Sequence, residues 1–143
     1  MRGYLSAGSG RRSCVIVGSG IDVIEIARIE RLLARSRERF ERRVFTTAEI
    51  ADCHRFRGVG AQFALRFAAK EALMKAVGTG WAHGVRWVDI GTRLDPRAPG
   101  GNLRLTLSGR VAEIARELGA GATHLAVSRT RSHAMAVVLL EAR

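Results

Sequence analysis

The chain has little of what would staple or anchor a protein. Cysteine occurs twice in 143 residues, at Cys14 and Cys53. Neither belongs to a CxxC pair and no histidine follows at ligand spacing. A disulfide framework and a structural zinc site are therefore excluded, leaving reduced thiols in a cytoplasmic setting. No apolar run approaches the roughly 20 residues of a membrane helix. Lysine is nearly missing: Lys70 and Lys75 are the two, and arginine supplies the rest of 24 basic residues. Acidic residues number 13, and none precedes Asp22. His54, His83, His124 and His133 are scattered without the order of a Ser-His-Asp triad. Aromatics make up 6% and rarely interleave with the arginines, which weakens a reading as a small basic nucleic-acid-binding module.

The formal charge of +11 calls for an anionic partner: nucleic acid, acidic protein, phosphorylated ligand or anionic membrane. With 47% hydrophobic residues, the composition is that of one globular domain able to bury its own core. Residues 1–13 (MRGYLSAGSGRRS) are Gly/Ser/Arg-rich and too polar for a secretory core. They read as a disordered extension ahead of a single domain over residues 14–143.

Hydrophobic spacing divides that domain into helices early and strands late. Val15–Val17 reads as a strand running into Gly18-Ser19-Gly20. A helix follows Asp22 to about Arg39, with Ile26, Ile29, Leu32 and Leu33 on one face. Thr46-Thr47-Ala48-Glu49 is a capping box opening a second helix to about Phe56. A central helix spans about Ala61 to Val77 and stops at Gly78-Thr79-Gly80. Trp87–Leu94 and Leu103–Leu107 alternate like strands around a Pro96–Gly101 loop. Gly109–Leu118 reads as a helix, and Leu125–Ser128 with Ala134–Leu140 as a hairpin. The pattern is α+β: an antiparallel sheet packed with a long buried helix.

That central helix carries the chemistry. Leu65, Ala68, Ala69, Ala72, Leu73 and Ala76 form one apolar face and Phe63, Phe67 and Met74 a second. Charges between two apolar faces need partners, because a lone buried ion is costly. Arg66 and Lys70 fall on one side, Glu71 and Lys75 on the other. Glu71 with upstream Asp22 suggests a metal-and-phosphate site. The competing reading of Asp22 is an N-cap, since Asp22-Val23-Ile24-Glu25 fits the D-x-x-E pattern. Glu71 and Lys75 also have the spacing of an ordinary surface ion pair. Arg28–Arg43 holds seven arginines against three acids, a solvated face or a docking surface for an acidic helix.

Three ordered segments resemble the holo-[acyl-carrier-protein] synthase family of 4′-phosphopantetheinyl transferases. They are Gly20-Ile21-Asp22-Val23 with Arg28; Phe45-Thr46 with Glu49; and Arg66-Phe67-Ala68-Ala69-Lys70-Glu71-Ala72 with Lys75 and Gly78-Thr79-Gly80. Trp87-Val88-Asp89-Ile90, Leu107-Ser108-Gly109 and His124-Leu125 extend the likeness over nearly the whole chain. The resemblance implies transfer of 4′-phosphopantetheine from coenzyme A to a serine of apo acyl carrier protein. It implies Mg²⁺ or Mn²⁺, and a homotrimer with sites between subunits. Asp22 and Glu71 would then hold the metal, with Lys70 on the leaving phosphate. Arg66, Lys75, Gly78, Thr79 and Gly80 would line coenzyme A. Arg28, Arg31 and Arg35 would face the acidic helix of the carrier protein. Arg129 stands where the family carries a histidine and Ala126 where it carries a serine; an arginine there can bind phosphate itself. That departure keeps a catalytically inactive structural paralogue in view. Pro99-Gly100-Gly101-Asn102 departs from the family's loop before the third strand.

Overall fold

A computed structural model describes residues 14–80, 82–95 and 103–142. The Pro96–Gly101 loop and residues 1–13 lie outside them.

The domain opens with β1 (Ile16–Glu25) and then α1 (Ile26–Val44), α2 (Thr47–His54) and α3 (Val59–Ala76). A short 3-10 turn at Trp87–Asp89 leads into β2 (Ile90–Leu94) and β3 (Leu103–Leu107). The chain ends with α4 (Gly109–Glu117), β4 (Ala120–Arg129) and β5 (His133–Ala142). β1, β5 and β4 form one antiparallel sheet in that order, and β2 pairs with β3 in a second.

β1 is longer than the strand expected at its start. It continues through both glycines and Asp22 to Glu25, so Asp22 is a strand residue and not the cap of a helix. The cause is the density of branched residues at Ile21, Val23 and Ile24, which suits a pleated strand paired to β5. Gly20 pairs with Val138, Asp22 with Ala136 and Ile24 with Ala134. The inner face of β5, Ala134, Ala136, Val138 and Leu140, is completely or almost completely buried.

α3 lies across this sheet, in contact with β1 and β5. Eleven of its 18 residues are buried. Small side chains explain how close it comes: a methyl added at Gly20 would overlap the Ala72 carbonyl oxygen and sit 2.7 Å from the Ala76 amide nitrogen. α1 covers another side of α3 through Ile26, Ile29 and Leu33. It bends at Ser36, whose φ of −160° and ψ of 61° interrupt the helix just after Arg35. An aromatic cluster fills the corner between α1, α2 and α3, with Phe45 4.7 Å from Phe63 between ring centres and Phe40 5.7 Å from Phe45. The Thr46 capping box forms as expected: Thr46 Oγ1 accepts from the Glu49 amide, and Glu49 accepts from the Thr46 amide at 2.8 Å.

Both cysteines are free, Cys14 exposed and Cys53 buried. Among the described residues no helix is long and apolar enough to cross a membrane.

Candidate active site

Backbone contact between β1 and α3 brings the chemistry-bearing side chains together. Gly18, Gly20, Asp22 and Ile24 share the face of β1 that looks at α3, by the two-residue alternation of a strand. The glycines let the helix approach; Asp22 is the next position along, and the first with a side chain. Lys75 donates to Asp22 Oδ1 at 2.8 Å and to the Ile21 carbonyl at 2.9 Å. Its spacing to Glu71 matches a helix pair, yet its partner is Asp22 on the strand.

Glu71 sits half-buried next to this pair. Burial lifts its carboxyl above the ordinary range, and the neighbouring Asp22 charge lifts it further, while Lys75 and Arg28 pull it down. For Glu71, burial and the Asp22 charge outweigh what Lys75 and Arg28 return.

A cleft of about 870 Å³ opens beside Glu71. Phe40, Phe67, Trp87, Val85 and Val88 give it an apolar floor, and Arg28, Arg42, Arg43 and Arg86 supply positive charge along its wall. Phe67 and Trp87 lie 4.8 Å apart between ring centres. Arg86 is itself held by Asp89, with Nη2 donating at 2.6 Å. Arg42 and Arg43 stood in the basic run noted above without being singled out. Arg86, Phe67 and Trp87 had no periodic signal tying them to a site, because the cleft is assembled from three separate elements.

Lys70 requires a correction. Expected on a leaving phosphate, it is wholly buried and points away from Glu71. Its ammonium donates to Glu49 Oε2 at 2.7 Å, to the Val44 carbonyl at 2.7 Å and to the Trp87 carbonyl at 3.2 Å. All three protons are used, so nothing remains for a substrate. Burial pushes the ammonium below the usual lysine range, with Glu49 opposing the shift. Glu49 in turn accepts from the Thr92 amide and hydroxyl at 2.9 and 2.6 Å.

Arg66 lies on the same inner side and is also buried. It donates to the Gln62 side chain at 3.0 Å and faces Asp52 at 3.9 Å, while Nε and Nη2 find no hydrogen-bond partner among the described residues. The coenzyme A role expected of it has no open route within one chain. Gly78 and Gly80 adopt φ of 74° and 52° in an open loop, with Thr79 between them. Arg129 ends β4, two strands from β1 across β5, a separation of about 10 Å. It is exposed and does not join Asp22 and Glu71 within this chain. Arg28, Arg31 and Arg35 are exposed along α1, with Arg31 facing Glu25 at 3.9 Å. Their spacing puts all three on one side of the helix before the Ser36 break.

A helix laid on an antiparallel sheet, with carboxylates on both and an arginine-lined cleft beside them, is an arrangement suited to handling a phosphorylated ligand. Residues 18–138 match the 4′-phosphopantetheinyl transferase superfamily, and the chain belongs to it. Holo-[acyl-carrier-protein] synthase of Koribacter versatilis is 43% identical over 127 residues, covering 89% of this chain and 99% of the relative. The same-named protein of Vibrio cholerae O395 is 46% identical over 129 residues, covering 90% and 100%. Among solved structures, the holo-(acyl-carrier-protein) synthase of Bacillus anthracis in complex with CoA (3′,5′-ADP) superposes with a TM-score of 0.72 at 37% identity, covering 90% of this chain and 98% of the other. The synthase of Neisseria meningitidis does so with a TM-score of 0.78 at 30% identity, covering 89% and 99%.

Proposed function

We propose that this chain transfers the 4′-phosphopantetheine group of coenzyme A to a serine of apo acyl carrier protein and releases adenosine 3′,5′-bisphosphate. It is a holo-[acyl-carrier-protein] synthase in activity. The observation that carries the reading is a half-buried Glu71, with Asp22 near enough to raise its carboxyl, lining a cleft with an apolar floor and arginines in its wall. Such a cleft suits a ligand with a charged diphosphate and a long, weakly polar arm.

The residues present suit a divalent cation. Two hard carboxylates that repel one another are a fitting partial shell for Mg²⁺ or Mn²⁺, which complete their coordination with water and phosphate oxygens. When bound, the ion would neutralise charge on the pyrophosphate. Asp22 and Glu71 would hold it, and Lys75 fixes the rotamer of Asp22. A carboxylate of this pair accepts the serine proton, directly or through water. The serine oxygen bonds to the phosphorus that bears pantetheine, and the bond from that phosphorus to the bridging oxygen breaks. Gly78, Thr79 and Gly80 offer open backbone for close approach of the nucleotide. Arg28, Arg31 and Arg35 receive the acidic helix of the carrier protein and speed its encounter.

The reading includes a homotrimer. Its support is the outer face of the three-stranded sheet, where Ile21, Val23, Met135, Val137 and Leu139 are 37–55% exposed together. An apolar patch of this kind marks an association surface. Arg129, remote from Asp22 in its own chain, would reach a neighbour's site across it. The setting we infer is the cytoplasm, where two free thiols stay reduced.

The test is direct. The protein is incubated with apo carrier protein, coenzyme A and Mg²⁺, and the carrier protein is weighed by mass spectrometry. A phosphopantetheine adduct that disappears with chelator is the expected result. An unmodified carrier protein at enzyme excess would overturn the assignment.

A further inference from the structure

The contact between β1 and α3 is made by backbone. Gly18 faces Ala76 and Gly20 faces Ala72, so two strand residues step against four helix residues, about 6.6 Å against 6.0 Å. The seam is tight at both positions. A methyl at Gly18 would overlap the Ala76 carbonyl oxygen and come within 3.0 Å of Leu140 Cδ1. A methyl at Gly20 would overlap the Ala72 carbonyl oxygen and lie 2.7 Å from the Ala76 amide nitrogen. These obstacles are helix backbone, which cannot turn aside as a side chain can. Asp22 follows Gly20 on the same face of β1, and Glu71 precedes Ala72 on α3. The two carboxylates are thus carried, just beyond this seam, on a strand and a helix held main chain against main chain.

We propose that Gly18 and Gly20 are positioning residues that set the size of the cation held between Asp22 and Glu71. This rests on the metal reading given above. Mg²⁺ needs oxygens at about 2.0–2.1 Å in near-octahedral array, whereas Ca²⁺ accepts about 2.3–2.6 Å and irregular geometry. A seam closed to backbone contact holds the carboxylates near enough for the smaller ion. A methyl at Gly20 forces α3 outward, widens the gap and favours the larger ion. Loss of a residue that orients metal ligands typically costs about 10–100-fold in affinity. Here the loss falls chiefly on Mg²⁺.

The experiment measures ion binding on the full chain without turnover. Mn²⁺ binding is followed by electron paramagnetic resonance and then displaced by Mg²⁺ or by Ca²⁺, giving the ratio of their dissociation constants. In Gly20→Ala, Mg²⁺ is expected to weaken about tenfold relative to Ca²⁺. Gly18→Ala, one helical turn farther from the carboxylates, shifts the ratio in the same direction by less. Val138→Ala removes buried bulk opposite Gly20 without pushing on α3, and leaves the ratio at the parental value. Should Gly20→Ala not fold, Gly18→Ala reads the same quantity. A parental ratio in every folded seam variant, or an equal shift in Val138→Ala, overturns the proposal. Glu71→Gln separates this from failure of the metal reading. If the parent holds no Mn²⁺, or Glu71→Gln holds it as tightly as the parent, the cation site itself is wrong and the seam proposal falls with it.

Discussion

Glu71 is placed at a cost to the fold. Its carboxyl titrates above its unfolded range because it is partly desolvated and faces Asp22. A group whose folded pKa is raised contributes stability that is complete below the unfolded value and is lost as pH rises through the folded one. The ionised form of Glu71 therefore weakens the metal-free protein relative to the protonated form. Glu71→Gln should melt at a higher temperature than the parent at pH 7 in chelator, while transferring no phosphopantetheine; a lower melting temperature would contradict this. In Asp22→Asn the Glu71 titration, followed by carbon-13 NMR, should move down. Burial also disfavours the charge on Lys70, but there it is paired with the equally buried Glu49. Removing one partner of a buried ion pair costs about 3–5 kcal/mol. Lys70→Met should accordingly lower the melting temperature by many degrees while kcat falls only in proportion to the folded fraction. A selective loss of kcat in fully folded protein would return Lys70 to the chemistry. The sequence could show that Lys70 and Glu71 point to different sides of one helix. It could not show which side was closed, since that depends on Glu49, Thr92 and two carbonyls from distant segments.

Among the elements, α2 and α3 were the most legible, because their signals are local. The Thr46–Glu49 box is written in four consecutive residues, and the apolar spacing of α3 covers five turns. Thr46→Ala should cost about 1–2 kcal/mol by chemical denaturation, with no change in the KM for coenzyme A. β1 was read too short. Gly18, Gly20 and a D-x-x-E pattern look like the end of a strand and the start of a helix, and only the pairing with β5 carries the strand on to Glu25. The β2 region was read too long at its start, where Trp87–Asp89 turn before the strand begins. The Ser36 break in α1 had no signal in the arginine-rich run around it. It separates Arg31 and Arg35, on the outer face of α1, from Arg42 and Arg43 in the cleft wall, while Arg28 lines the cleft from the near side of the break. Reversing Arg28 and Arg31 to Glu should raise the KM for carrier protein and flatten its dependence on salt, with the KM for coenzyme A less affected. Equal KM values would remove the docking role.

For the whole molecule, the charge of +11 and the exposed apolar sheet face point outward to partners, and neither is explained by the fold of one chain. Val137→Asp should dissociate the assembly, seen as a fall in mass by sedimentation, and leave the monomer folded; an unchanged mass would discard this face as the interface. Strand β1 gives that outcome a further meaning. Its odd positions, Ile21 and Val23, look outward on the exposed apolar face, and its even positions, Gly20 and Asp22, look inward to the helix. One ribbon of main chain thus carries the proposed association face on one surface and the candidate site on the other. Diluting the protein would slacken the ribbon from behind, and specific activity should drop with concentration along the same curve as the molecular mass.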